Sequence, residues 1–170
     1  MEGAANIGLI SDTHGLMRPA ALAALKGSDL IIHAGDVGKP EIIEQLRAVA
    51  PVIAVRGNID KGAWAPQTPS PVPSQMPSQL PVTAVVEAHS AWIYVLHDLQ
   101  QLDLDPAAAQ FHIVVSGHTH KPGRADRAGV MYLNPGSAGP RRFKLPVTVA
   151  RLDLRQSPWK VEFIDLSEPV

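Results

Sequence analysis

Asn6-Ile7-Gly8-Leu9-Ile10-Ser11-Asp12-Thr13-His14-Gly15 decides how the chain is read. Five residues of mostly apolar character end abruptly in a polar, glycine-bounded loop, the pattern of a buried strand running into a site-forming turn. The same pattern recurs twice. Leu30 to Ala34 runs into Gly35-Asp36-Val37-Gly38, and Val52 to Val55 runs into Arg56-Gly57-Asn58. Between these runs lie two helical stretches. Pro19 opens an Ala- and Leu-rich segment to Lys26, with Gly27 as its stop signal. Pro40 and Glu41 open a second, in which Ile42, Ile43, Leu46 and Val49 recur on one face. The first third therefore reads β-α-β-α-β, which implies a parallel sheet with helices packed on it. In such sheets ligands bind beyond the carboxyl ends of the strands.

Further on, Val82 to Glu87 and Trp92 to Leu96 read as strands, the second ending in His97-Asp98. Asp105 and Pro106 are expected to start a short helix, with Asp105 as its N-cap. His112 to Ser116 runs into Gly117-His118-Thr119-His120, and Val130 to Leu133 into Asn134-Pro135-Gly136-Ser137. Val147 to Leu154 and Val161 to Ile164 close the chain as antiparallel strands. Residues 61–81 differ, with prolines at Pro66, Pro69, Pro71, Pro73, Pro77 and Pro81. Proline lacks an amide donor and fixes φ, so this stretch is expected to be a long loop inserted in one domain spanning 1–170.

Composition narrows the chemistry. The 170 residues include no cysteine, which excludes disulfides, thiolate metal sites and a cysteine nucleophile. There are seven histidines, so a bound metal would take imidazole, carboxylate or amide ligands, a donor set suited to Mn, Mg, Fe, Ni or Zn. A net charge of −1 argues against long nucleic acid as a partner, since that needs a basic stripe. No apolar run is long enough for a transmembrane helix, and no secretory signal is visible at Met1-Glu2-Gly3. The expectation is a cytoplasmic protein with no membrane partner; a homo-oligomer is left open.

The strand ends carry Asp12, His14, Asp36, Asn58, His97, His118 and His120. Asp12/His14 and His118/His120 are each spaced two apart, and in extended backbone such residues point to the same side. Any one of these elements occurs by chance. Their joint appearance at successive strand ends points to a metal site. His33 lies inside a strand and is read as buried support rather than a ligand. His89 and His112 have no partner pattern.

Gly8 to Gly15, His33-Ala34-Gly35-Asp36-Val37, Val55-Arg56-Gly57-Asn58, His97 and Ser116 to His120 resemble the blocks of the calcineurin-like metallophosphoesterases. Asn134 to Ser137, followed by Pro140-Arg141, is similar to the ending of that family's small bacterial and archaeal branch. The resemblance covers about residues 6–165. It implies an α/β fold, a two-sheet sandwich flanked by helices, with two divalent metal ions, manganese first and nickel, iron, zinc or magnesium as alternatives. By the same resemblance, Asp12, His14, Asp36 and His120 would hold the first ion. Asp36, Asn58, His97 and His118 would hold the second, with Asp36 bridging. Asp36, Asn58 and His118 would take part in catalysis, and Asn58, Arg141 and Arg142 would contact substrate. The implied activity is hydrolysis of a small or activated phosphoester, a phosphodiester above all, by a metal-bridging hydroxide.

Two departures qualify this. Many relatives carry a histidine directly after the asparagine of the third block, thought to protonate the leaving group; here Ile59 stands there. A positioned general acid contributes roughly 10²–10⁴-fold, so good leaving groups are expected to be preferred. Asp60 and Asp98 are the nearest other acids. The fourth block usually reads His-Gly, whereas here Asp98 follows His97. The competing expectation is a non-catalytic or weakly catalytic metal-binding scaffold of the same fold.

Overall fold

The first third folds as its pattern predicts. In the computed structural model β1 (Asn6–Ile10), α1 (Pro19–Leu25), β2 (Leu30–His33), α2 (Pro40–Arg47) and β3 (Val52–Ala54) follow in order. The described residues are 3–61 and 79–167, so the expectation of a proline-rich loop falls almost wholly on 62–78, outside them. Beyond the gap come β4 (Thr83–Ala88), β5 (Ala91–Leu96), β6 (Ile113–Val115), β7 (Gly123–Arg127), β8 (Val130–Asn134), β9 (Thr148–Asp153) and β10 (Lys160–Asp165).

These strands form two five-stranded sheets, in the orders β10-β9-β1-β2-β3 and β4-β5-β6-β8-β7. In the first sheet β1, β2 and β3 are parallel; in the second β5, β6 and β8 are parallel. Three parallel strands from each sheet thus deliver their carboxyl ends, and the polar loops that follow them, to one rim.

Strand alternation builds the core. Ile7 and Leu9 of β1 face the second sheet with Leu30, Ile32, Ile93 and Val115, while Ile10 and Ile31 face α1 and α2 through Leu25, Ile43 and Leu46. Gly8 is needed for that helix contact. A Cβ there would stand 2.8 Å from both Leu25 Cδ2 and Ser28 Oγ. On the far face of the second sheet, Tyr94, Leu96, Val114 and Val130 are covered by Leu99, Leu102 and Phe111 from a 3-10 turn (Leu99–Gln101) and the loop after it.

One expectation needs correction, and one strand was not anticipated. Asp105 does cap, accepting the amides of Ala107 and Ala108, but the segment is a turn that ends by Gln110 at φ +64. Residues 107–110 are exposed, so nothing there is buried to offset the cost of nucleating a helix. The strand β7, Gly123-Arg124-Ala125-Asp126-Arg127, has no apolar pattern because it is a charged sheet edge. Among the described residues, no helix is long and apolar enough to cross a membrane.

Candidate metal centre

Five of the seven expected ligands converge. Asp12 Oδ1 lies 3.3 Å from His120 Nε2, 3.9 Å from His14 Nε2 and 3.9 Å from His97 Nε2. Asp36 Oδ2 lies 3.3 Å from His97 Nε2 and 3.6 Å from His14 Nε2. Two donor groups result, Asp12-His14-His120 and Asp12-Asp36-His97. The other two stand at the exposed edge of this cluster. Asn58 Nδ2 is 3.5 Å from His118 Nδ1, and His118 Nε2 turns toward Asp98 Oδ2 at 3.8 Å. The His118 ring still stacks edge-on against His97, with centroids 5.2 Å apart.

The reason the i, i+2 pairs converge is not the one expected from extended backbone. Asp12, His14, Asp36, His118 and His120 all have positive φ, between +47° and +70°. Such backbone is uncommon outside glycine and costs of order 1–3 kcal/mol per residue. Left-handed turns at successive strand ends throw the side chains inward. The doubt raised by Asp98 also has a local answer. Asp98 sits at φ −110 and caps the 3-10 turn through Gln100 N, so no glycine is required after His97.

Three of the expected ligands, Asp12, Asp36 and His97, are each held by a partner that leaves one donor atom aimed inward. Asp12 Oδ2 accepts from Ser11 Oγ (2.6 Å) and His118 N (3.1 Å), which leaves Oδ1. Asp36 Oδ1 accepts from Ile59 N (3.1 Å), which leaves Oδ2. His97 Nδ1 donates to Ala34 O at 2.8 Å, which leaves the Nε2 lone pair free. As a result Asp12 Oδ1, His14 Nε2 and His97 Nε2 are buried with no hydrogen-bond partner. Two nearly buried carboxylates beside unpartnered imidazole nitrogens are a costly arrangement for a protein alone, and they fit the oxygen-and-nitrogen donor set of a divalent cation.

The electrostatics agree. Burial would raise the Asp36 carboxyl, but contact with His97 and its charge outweigh it and hold the group down to about 2. Burial would lower His97; the Asp36 contact outweighs that and raises it. Where His97 is protonated, a cation held at its Nε2 displaces that proton, so metal binding is coupled to proton release. His14 is lowered, chiefly by burial.

A supporting shell links the loops. His33, fully buried, accepts the Gly35 amide on Nδ1 and donates from Nε2 to Thr13 Oγ1, which donates in turn to Val37 O. It thereby ties the Asp12–His14 loop to the Asp36 loop. Burial lowers its pKa to about 4, below the ordinary 6.5. The unfolded chain therefore binds the extra proton first as pH falls. The stabilisation is complete above about 6.5 and is lost on the way down to 4. In metal-free protein this contribution should fall by about 2 kcal/mol at pH 5. Urea denaturation of wild type and His33→Gln at pH 7 and pH 5 measures it. Equal pH dependence in the two proteins would show that His33 is not the group.

Asp60 uses both oxygens on the amides of Val37, Gly38 and Gly57. It fastens the third loop to the second. Ser11, Ser137 and Asn134 lie in motifs quoted from the sequence but were given no role there. Ser137 Oγ donates to Asp12 O, and Asn134 Nδ2 donates to Gly117 O and Thr119 Oγ1. The strand-end motif Asn134-Pro135-Gly136-Ser137 was the available signal. The two arginines part company. Arg142 is close enough for its charge to act on His14, whereas Arg141 Nε donates back to Leu145 O.

A family model described as the calcineurin-like phosphoesterase superfamily domain matches residues 6–157. A protein of Methanothermobacter thermautotrophicus named a probable metallophosphoesterase is 34% identical over 160 residues, 86% of either chain. Among solved structures, the E. coli phosphoesterase YfcE aligns with a TM-score of 0.67 at 25% identity, over 95% of this chain and 93% of its own. Vacuolar protein sorting 29 of Cryptosporidium parvum aligns at 0.69 and 22% identity, over 98% and 100%, a likeness of fold.

Proposed function

The chain belongs to the calcineurin-like phosphoesterase superfamily, and we propose that it is a phosphodiesterase using two divalent ions on a small or activated phosphoester. The observation that carries this reading is the set of buried, unpartnered donor atoms, Asp12 Oδ1, His14 Nε2 and His97 Nε2, around two nearly buried carboxylates. Asp12, His14, Asp36 and His120 would hold one ion, and Asp36, Asn58, His97 and His118 the other. When bound, such ions, manganese first, supply Lewis-acid charge to phosphoryl oxygens and make water a stronger nucleophile near neutral pH.

The chain's own residues set the limits of the reaction. Arg142 contributes positive charge on the His14 side, suited to a phosphate oxygen. Asn58 and His118 stand where a substrate would enter, since both are exposed. Among the described residues, the acids nearest the centre are not free to protonate the leaving oxygen. Ile59 is half-exposed beside Asn58 and cannot donate. Asp60 has both oxygens engaged with amides, and Asp98 spends Oδ1 on Gln100 N. Diesters whose leaving group needs no proton are therefore the fitting substrates.

The test is direct. Protein stripped with chelator and reloaded with Mn²⁺ should bind metal and hydrolyse bis-p-nitrophenyl phosphate. It should disfavour alkyl leaving groups by about 100-fold or more, the rate a general acid would have supplied. Protein that takes up metal but turns over no diester with any metal would leave the metal-binding scaffold reading in its place; protein that takes up no metal would overturn both.

A further inference from the structure

A cleft of about 640 Å³ opens on the Asp98–His118 side of the centre and runs away from it. Its near end carries Asp98, His118 and Thr119, and Leu99 and Tyr132 line it further along. The far wall belongs to Lys121, Arg124 and Arg127, all exposed. The register gives this order. β8 ends at Asn134 beside the centre, and Gly123 pairs with Asn134 while Arg127 pairs with Val130. Four residues of strand at about 3.3 Å each place Arg127 roughly 13 Å beyond Gly123. Arg124 is paired with Asp126 at 3.0 Å, so Lys121 near the centre and Arg127 at the distal end carry the field of this wall. The Arg127 guanidinium also lies over the Tyr132 ring, 5.2 Å from its centroid, forming a planar cationic and aromatic platform.

The geometry points to this cleft as the subsite for one ester arm of an elongated diester, an arm bearing an aromatic ring and a second, distal negative charge, the chemistry of a short phosphorylated oligonucleotide. This rests on the phosphodiesterase reading above. Lys121 lies close to the scissile phosphate, Tyr132 beside the ring, and Arg127 at the distal anion. The near-neutral net charge of the whole chain is no obstacle, because the recognition is local.

The probes are diadenylate with and without a 5′-terminal phosphate, and an abasic analogue that keeps that phosphate. Dissociation constants are measured by calorimetry on the metal-free full chain, and KM on the Mn²⁺-loaded enzyme. The wild type should prefer the phosphorylated diadenylate by tenfold or more over both other probes. Arg127→Gln should reduce the preference over the unphosphorylated form to within twofold, and Arg127→Lys should keep it. Lys121→Gln should weaken the phosphorylated and unphosphorylated forms alike. No preference in the wild type, or a preference that survives Arg127→Gln, overturns the assignment. A calorimetric preference without turnover of any diester would instead fail the phosphodiesterase reading and leave the subsite standing.

Discussion

Asp36→Asn is expected to remove both metal ions together and to lower turnover of bis-p-nitrophenyl phosphate by more than about 100-fold, beyond the 10–100-fold typical of changes to groups that only support a ligand. Asp36 Oδ2 is the atom between His14 and His97, at 3.6 and 3.3 Å, and so adjoins both donor groups. Asparagine keeps the shape and can keep the bond from Ile59 N to Oδ1. It removes the negative charge and can turn an amide N–H toward the imidazoles, which a cation site cannot use. Metal content after dialysis is the readout. Loss of one ion only would mean that the shared carboxylate is Asp12, whose Oδ1 already reaches His14, His97 and His120. Thermal unfolding of the metal-free protein separates this from a folding defect. Asp36→Asn also removes the His97 contact that holds the Asp36 carboxyl down, so some apo stability is lost with it, and metal binding should fall by more than that loss explains.

Most of the frame was legible because it rests on local patterns. Short apolar runs bounded by glycine mark β1, β2, β3 and β6, and their ends hold Asp12, Asp36, Asn58 and His118. His33 was legible as support because it sits inside a strand rather than after one. What was not legible depends on contacts far along the chain. Left-handed φ at Asp12 and His120 leaves no composition signal, since neither residue is glycine. The turn of His118 toward Asp98 needs two loops from different strands to meet. Which carboxylate both groups share depends on which oxygens Ser11 and Ile59 occupy. The strand β7 was missed for another reason. As an exposed edge it buries little, so no hydrophobic period was selected there, although its arginines wall a cleft that runs out from His118.

Gly57→Ala should damage the centre on the scale of a lost supporting contact, although residue 57 donates nothing to a metal. A Cβ on Gly57 would lie 2.1 Å from both Asp36 N and Asp36 Oδ1. Backbone cannot swing aside as a flexible side chain can. The Asp36 segment is also clamped, since His14 N donates to Asp36 O at 2.9 Å and Asp12 N to Gly35 O at 3.0 Å. On the other side Gly57 N donates to Asp60 Oδ2 at 2.9 Å, so residue 57 cannot retreat without releasing the staple that joins the second and third loops. Overpacking a filled site ordinarily costs about 1–3 kcal/mol, and this one, against backbone, should reach 3 kcal/mol or more. Whatever movement relieves the clash displaces Asp36, so metal affinity should fall more than about tenfold, the scale of a lost supporting contact. Gly123→Ala is the matched control, because a Cβ there meets nothing within 4 Å. Urea denaturation of the two metal-free variants and Mn²⁺ titration of each decide the matter. If Gly57→Ala is as stable as Gly123→Ala and binds metal as tightly, the third loop is not what positions Asp36.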